Sequence, residues 1–340
     1  MDEKNIQELS EVIQSANLNI LLGSGVSMPF LPVLGNIEQE LNKAKNDSER
    51  EKLYKQYLTG VMLPNKKIIG NELSGDTNYQ TTKKSYEKFF YALSEMILRR
   101  KTSILSKQIN IFTTNIDVII ETVLEELQLE YNDGFSGKFN PIFNLANFKK
   151  SINQRSLHFD HISEIPVFNI VKIHGSLTWK HDGTGDKIIF SHTLDHFDKK
   201  LSDQTGADFT TDYRKILVVN PEETKHLESV LNVYYSELLR MYSSELEKEN
   251  ASLFVLGFSM EDKHIKEITL RAAQSNPTLR VYIFCSQKSK EAMCKKMEVI
   301  QHPNIHIYTP VSDSEKYTLD GFTENILKKV TAEKISEKNA

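Results

Sequence analysis

Two cysteines in 340 residues, Cys285 and Cys294, are too few and too late in the chain for a disulfide framework or a four-thiolate zinc site. Long apolar runs are missing as well. The apolar stretches are strand-length, as at 18–22, so no membrane-spanning helix is expected. The first fifteen residues, MDEKNIQELSEVIQS, are acidic and helically periodic, unlike a secretory leader, and a cytoplasmic protein is expected. A marked excess of positive or negative residues is missing too. A formal charge of −4, with 42 basic against 46 acidic residues, gives no electrostatic pull toward nucleic acid or an anionic membrane. Repeats and low-complexity tracts are absent. What is present, 39% apolar and 26% charged residues, is the composition of an ordinary globular protein.

Along the chain, short apolar strands alternate with helical patterns. An amphipathic helix is predicted over 2–15, from Ile6, Leu9, Val12 and Ile13 on one face. Strands are predicted at 19–22, 109–113, 168–173, 216–219, 252–256, 280–285 and 305–308. Helices are predicted over 38–58, 84–106, 118–128, 223–248 and 262–274. The segment 60–76, with Gly60, Pro64, Gly70 and Gly75, reads as a loop or lid, and 178–190 as a hairpin turning at 182–185. The fold class is therefore α/β: a Rossmann-like parallel sheet with helices on both faces. It forms one domain over 1–340, with helical or irregular insertions at about 28–106 and 130–166 and a charged tail at 323–340.

The residues with chemical potential fall at predicted strand ends, where open parallel sheets bind ligands. Gly23-Ser24-Gly25-Val26-Ser27 follows the first strand. Glycines there permit a tight turn and a close approach to a diphosphate, though a plain strand-to-helix turn has the same composition. Met28 stands where a dehydrogenase fingerprint has its third glycine, which disfavours hydride transfer. Thr113-Thr114-Asn115-Ile116-Asp117 places Asn115, an amide able to orient a hydroxyl or water, beside Asp117, a natural helix N-cap. Lys172-Ile173-His174-Gly175-Ser176 offers His174 as a general base near neutral pH, or else as a packed structural histidine. Gly257-Phe258-Ser259, followed by Asp262 and His264, repeats the strand–glycine–hydroxyl pattern. His192 with His196, and His158 with His161, lack a third ligand, so no metal site is expected.

Taken together, GSGVS, TTNID, KIHGS and LGFS in this order resemble the sirtuin family over roughly residues 15–290. The resemblance implies NAD+ as the substrate, with Gly23, Ser24, Gly25 and Ser27 on the dinucleotide. Thr114, Asn115 and Asp117 would lie beside the nicotinamide ribose, with His174 as the catalytic histidine and Asn115 and Asp117 as its catalytic partners. Gly257 and Ser259 would touch the far phosphate or ribose. The two CxxC zinc pairs of sirtuin deacylases are missing, and Met28-Pro29-Phe30-Leu31 replaces the usual turn after the glycine loop. The pattern is thus similar to zinc-less sirtuin-like domains of bacterial anti-phage systems, including the partner of HerA-type ATPases. That branch implies an NAD+ glycohydrolase releasing nicotinamide and ADP-ribose, an NAD-depleting role in defence, homo-oligomers, and a HerA-like ATPase partner. A protein deacylase or ADP-ribosyltransferase, or a non-catalytic NAD or ADP-ribose sensor, are the alternatives.

Overall fold

A computed structural model of the chain describes residues 3–33, 37, 40–41, 43–100, 105–184, 187–219, 229–310 and 317–330. Its strands are β1 (Asn17–Leu22), β2 (Gln108–Thr113), β3 (Tyr131–Asn132), β4 (Phe135–Ser136), β5 (Ile142–Phe143), β6 (Asn153–Arg155), β7 (Ile162–Glu164), β8 (Val167–Lys172), β9 (Trp179–His181), β10 (Ile188–Phe190), β11 (Ala251–Leu256), β12 (Arg280–Phe284) and β13 (Ile305–Tyr308). Seven of them form a sheet in the order β13-β12-β11-β1-β2-β8-β3, and every pairing in it is parallel.

Side-chain alternation explains why both faces carry helices. Ile20, Leu22, Ile109, Ile111, Phe168, Ile170, Phe254 and Tyr282 point into one core, with the helices Glu3–Ser15, Thr77–Leu98 and Ile119–Glu126. Leu21, Phe112, Val171, Leu253, Val255 and Ile283 point into the other, with the helices Ser229–Leu246 and Lys263–Ser275. Strands buried on both faces read as continuous apolar runs, which is how FVL in β11 and IV in β8 read. The chain runs outward from β1 through β2 and β8, then returns to β11 on the far side of β1. The switch point of the sheet is therefore the β1–β11 boundary, and open parallel sheets bind ligands beyond the carboxyl ends of the strands at such a point. The fold class expected from the sequence is the one observed.

Four local expectations change. Residues 216–219 are no strand of the sheet. Val218 makes only an isolated antiparallel bridge, with Gly175 beyond the end of β8. The segment 60–76 is largely helical, with a turn Leu58–Met62 leading into a helix Leu63–Ile69. Pro64 follows the π-helical turn Leu58–Met62, at the head of the helix Leu63–Ile69. Asn65 is fully buried there, and its Oδ1 accepts from Val118 N–H at 2.9 Å. The insertion 130–166 contains the short strands β3 to β7. β3 extends the main sheet, β4 and β5 join β9 and β10, and β6 pairs with β7. The charged tail packs in part, since Thr323, Ile326, Leu327 and Val330 are buried; 331–340 lies outside the described residues, as do parts of the expected 38–58, 84–106 and 223–248 helices. Among the described residues no helix is long and apolar enough to cross a membrane.

Candidate functional site

The glycine loops of β1 and β11 meet backbone to backbone. Gly23 N–H donates to Leu256 O and Gly25 N–H to Gly257 O, each at 3.0 Å. A Cβ on Gly25 would lie 2.9 Å from Gly257 O, and one on Gly257 would lie 2.6 Å from Val26 N. Gly257 also has φ +61, in the left-handed region that suits glycine. The observed work of these glycines is thus to let two strand ends touch at the switch point. Their amides are held by β11, and Ser24 sits half-buried at the turn above them.

The next strand end, that of β2, carries a buried polar network. Thr113 Oγ1 donates to Leu22 O and accepts from Asn115 N–H, which turns the chain sharply as it leaves the sheet. Asn115 Nδ2 donates to Gly23 O and to Ser27 Oγ, both at 3.2 Å. Its Oδ1 is buried and has no hydrogen-bond partner among the described residues. Ser27 Oγ donates to Asp117 Oδ2 at 3.1 Å and lies 3.0 Å from the Tyr86 hydroxyl. Asp117 Oδ1 accepts from Ile119 N–H, but the helix Ile119–Glu126 begins one residue later than expected: its N-cap is Val118, which makes no side-chain cap bond, and Asp117 precedes it. Lys172, at the end of β8, donates to Asp117 O and pairs with Glu121 at 2.8 Å, with both side chains almost fully buried. Burial raises the Asp117 and Glu121 carboxyls above the ordinary range, and Lys172 partly offsets it. Burial, reinforced by Asp117, also pushes the Tyr86 phenol well up.

His174 lies two residues past the end of β8. Its Nε2 lies 3.0 Å from Asp262 Oδ2. Its carbonyl accepts from Val219 N–H at 2.8 Å, and Gly175, at φ +79, lets the chain press against Leu217 where any Cβ would be 2.2 Å from the carbonyl oxygen. Asp262 caps the helix Lys263–Ser275, its Oδ1 accepting from His264 and Ile265 N–H. Tyr235 packs between the rings of His174 and His264, and burial, with Asp262 adding to it, raises its phenol.

The fold therefore brings the ends of β11, β1, β2 and β8 together as neighbours, with Gly257, Gly25, Asn115 and His174 on them. Thr114 is half-buried and bonds Leu22 O through its N–H, whereas Ser259 is exposed and its carbonyl accepts from Lys296. Tyr86, Lys172, Glu121 and the Asp262 contact escape a motif reading. Two signals were available: a lysine closing the apolar strand VFNIVK, and an aspartate directly before an amphipathic helix. Among the described residues no group of three or more His, Cys, Asp or Glu is arranged to hold a metal ion.

Comparison with known proteins gives three findings. A family model for the SIR2-like domain matches residues 109–308, from β2 to the end of β13. Among solved structures the chain is similar to one described under the structural basis for the mechanism and regulation of Sir2 enzymes. That match has 11% identity and a TM-score of 0.41, covering 98% of this chain and 99% of that one. It is also similar to a Sir2 mutant with p53 peptide and NAD, at 13% identity and a TM-score of 0.46, over 95% and 98% of the two chains. A search of curated proteins returns no match.

Proposed function

The chain belongs to the SIR2-like domain family, and from that premise we propose that it hydrolyses the nicotinamide–ribose bond of NAD+. The observation that carries this reading is Asn115 Oδ1, a buried acceptor just past the end of β2 with no hydrogen-bond partner among the described residues. An unmet buried carbonyl costs about 1–3 kcal/mol, and a ribose hydroxyl or a water is the kind of donor that would satisfy it. The amide is aimed in advance, because its Nδ2 is held by Gly23 O and Ser27 Oγ. The network of Ser27, Tyr86, Asp117, Lys172 and Glu121 fixes Ser27 in turn.

The bond to be broken already has a cationic leaving group. As the ribose–nitrogen bond breaks, its electron pair goes to the ring and nicotinamide leaves neutral, so no general acid is required. What the protein must supply is an oriented ribose and a nucleophile on the opposite face. Asn115 orients a ribose hydroxyl or the attacking water, and His174 takes the proton as the water oxygen bonds to the anomeric carbon. The products are nicotinamide, ADP-ribose and a proton that passes to solvent. Gly23, Ser24, Gly25, Ser27, Thr114, Gly257 and Ser259 form the floor on which the dinucleotide rests.

The test is product identification after incubation of purified chain with NAD+ in oxygen-18 water, with and without acylated peptide. Labelled ADP-ribose without peptide supports hydrolysis. Turnover only with peptide and transfer of its acyl group would establish deacylation instead. On the motif resemblance to zinc-less anti-phage domains, we further propose that this cleavage depletes NAD+ during phage infection. It would be gated by homo-oligomer packing or a HerA-like ATPase. Full turnover by a monomer, unchanged by such a partner, contradicts the gating.

A further inference from the structure

We infer that Asp262 is a positioning residue for His174: its carboxylate holds the imidazole as the Nε2–H tautomer and leaves the Nδ1 lone pair as the base. The inference rests on the NAD+-cleaving reading and deepens it, since that reading assigns Asp262 no part. Three observations carry it.

The first is the contact itself, 3.0 Å between His174 Nε2 and Asp262 Oδ2, with side chains only 18% and 11% exposed. An ionised carboxylate only accepts, so a neutral imidazole facing it must carry its proton on Nε2. The second is the rigidity of the carboxylate. Its other oxygen accepts from His264 N–H at 3.0 Å and Ile265 N–H at 3.1 Å, so the helix N-terminus sets the direction in which Oδ2 points. The third is topology. β8 and β11 are separated by β1 and β2, three strand spacings or about 14 Å along the sheet edge. The hydrogen bond therefore ties the segment that follows β8 to the helix that follows β11, two elements whose strands are not neighbours in the sheet, and so fixes the ring against a part of the fold other than its own strand.

A helix cap alone would also explain Asp262, and one substitution separates the two roles. Asparagine caps a helix as well as aspartate does, so Asp262→Asn keeps the cap and the shape. Its amide, however, can present N–H to the ring and favour the opposite tautomer. The experiment is nitrogen-15 imidazole spectroscopy of the histidine-labelled full chain, with His174→Ala identifying the resonance, alongside steady-state NAD+ kinetics and thermal melts. The expected result is an Nε2–H tautomer in the wild type and a shift toward Nδ1–H in Asp262→Asn. With it, kcat falls by about 10- to 100-fold while KM stays within about twofold and the melting temperature is unchanged. An unchanged tautomer, or a kcat within about threefold of wild type, overturns the inference. A tautomer shift in a chain that releases no nicotinamide would leave the pairing standing and refute the cleavage reading instead.

Discussion

Replacing Lys172 by methionine tests the buried network at the ends of β2 and β8. Lys172 is 4% exposed and its partner Glu121 10%. The same ammonium also holds Asp117 O. Methionine keeps most of the volume but strands two carboxyls in the interior. Breaking a buried pair by removing one partner costs about 3–5 kcal/mol. Unfolding entropy near 2.1 cal/mol/K per residue, over 340 residues, converts that into a fall in Tm of about 4–7 °C. The loss must also depend on pH. Burial raises both carboxyls above the ordinary range, so the folded protein keeps their protons to a higher pH than the unfolded chain does. Their contribution to stability therefore declines as pH climbs from the ordinary carboxylate range through the raised folded values. Without Lys172 to offset burial, that decline extends further upward. Chemical denaturation of Lys172→Met and wild type should show the full gap at pH 8 and a smaller one at pH 5. A gap below about 1 kcal/mol, or one equal at both pH values, would refute the reasoning.

Gly257→Ala places a Cβ in a left-handed backbone and 2.6 Å from Val26 N, so it should cost at least about 2 kcal/mol and weaken NAD+ binding, as denaturation and calorimetry would report. Tyr86→Phe removes the hydroxyl 3.0 Å from Ser27 Oγ; it should cost about 1 kcal/mol and lower turnover by loosening Asn115, whereas unchanged kinetics would detach Tyr86 from the site. Burial holds His196 down at about 4 and both its ring nitrogens lack partners among the described residues, so the unfolded chain binds the proton first and stability is lost as pH falls from about 6.5 toward 4. His196→Phe should flatten that acid loss by about 1–3 kcal/mol, and an unaltered acid limb in a melting series would count against the assignment.

The legible part of this protein was the part written in short-range pattern. Ala251–Leu256 and Val167–Lys172 announce themselves as continuous apolar runs because both faces of a parallel sheet are buried. Gly23, Gly25 and Gly257 were legible as turn glycines, but not their purpose, since the closeness of β1 to β11 is a long-range fact. Residues 216–219 read as a strand from composition, yet their ladder is limited to one isolated bridge, Val218 to Gly175, a long-range outcome that composition does not carry. The polar, proline-bearing segment 60–76 looked like a loop because nothing local reveals that Asn65 caps Val118 N–H from 53 positions away. His174 was legible; its partner Asp262, 88 residues later, was not, because sequence alone does not bring β8 and the start of a helix after β11 together.

The central claim is that Asn115 and His174 cleave NAD+ in a crevice the rest of the fold holds ready. The direct measurement is nicotinamide release at saturating NAD+ by wild type, Asn115→Ala and His174→Ala, with NAD+ affinity and melting temperature recorded for each. The account predicts wild-type release and a loss of about 100- to 10,000-fold in both variants, with folding and binding largely retained. No release by wild type in any assembly state, or near-wild-type turnover in either variant, would contradict it.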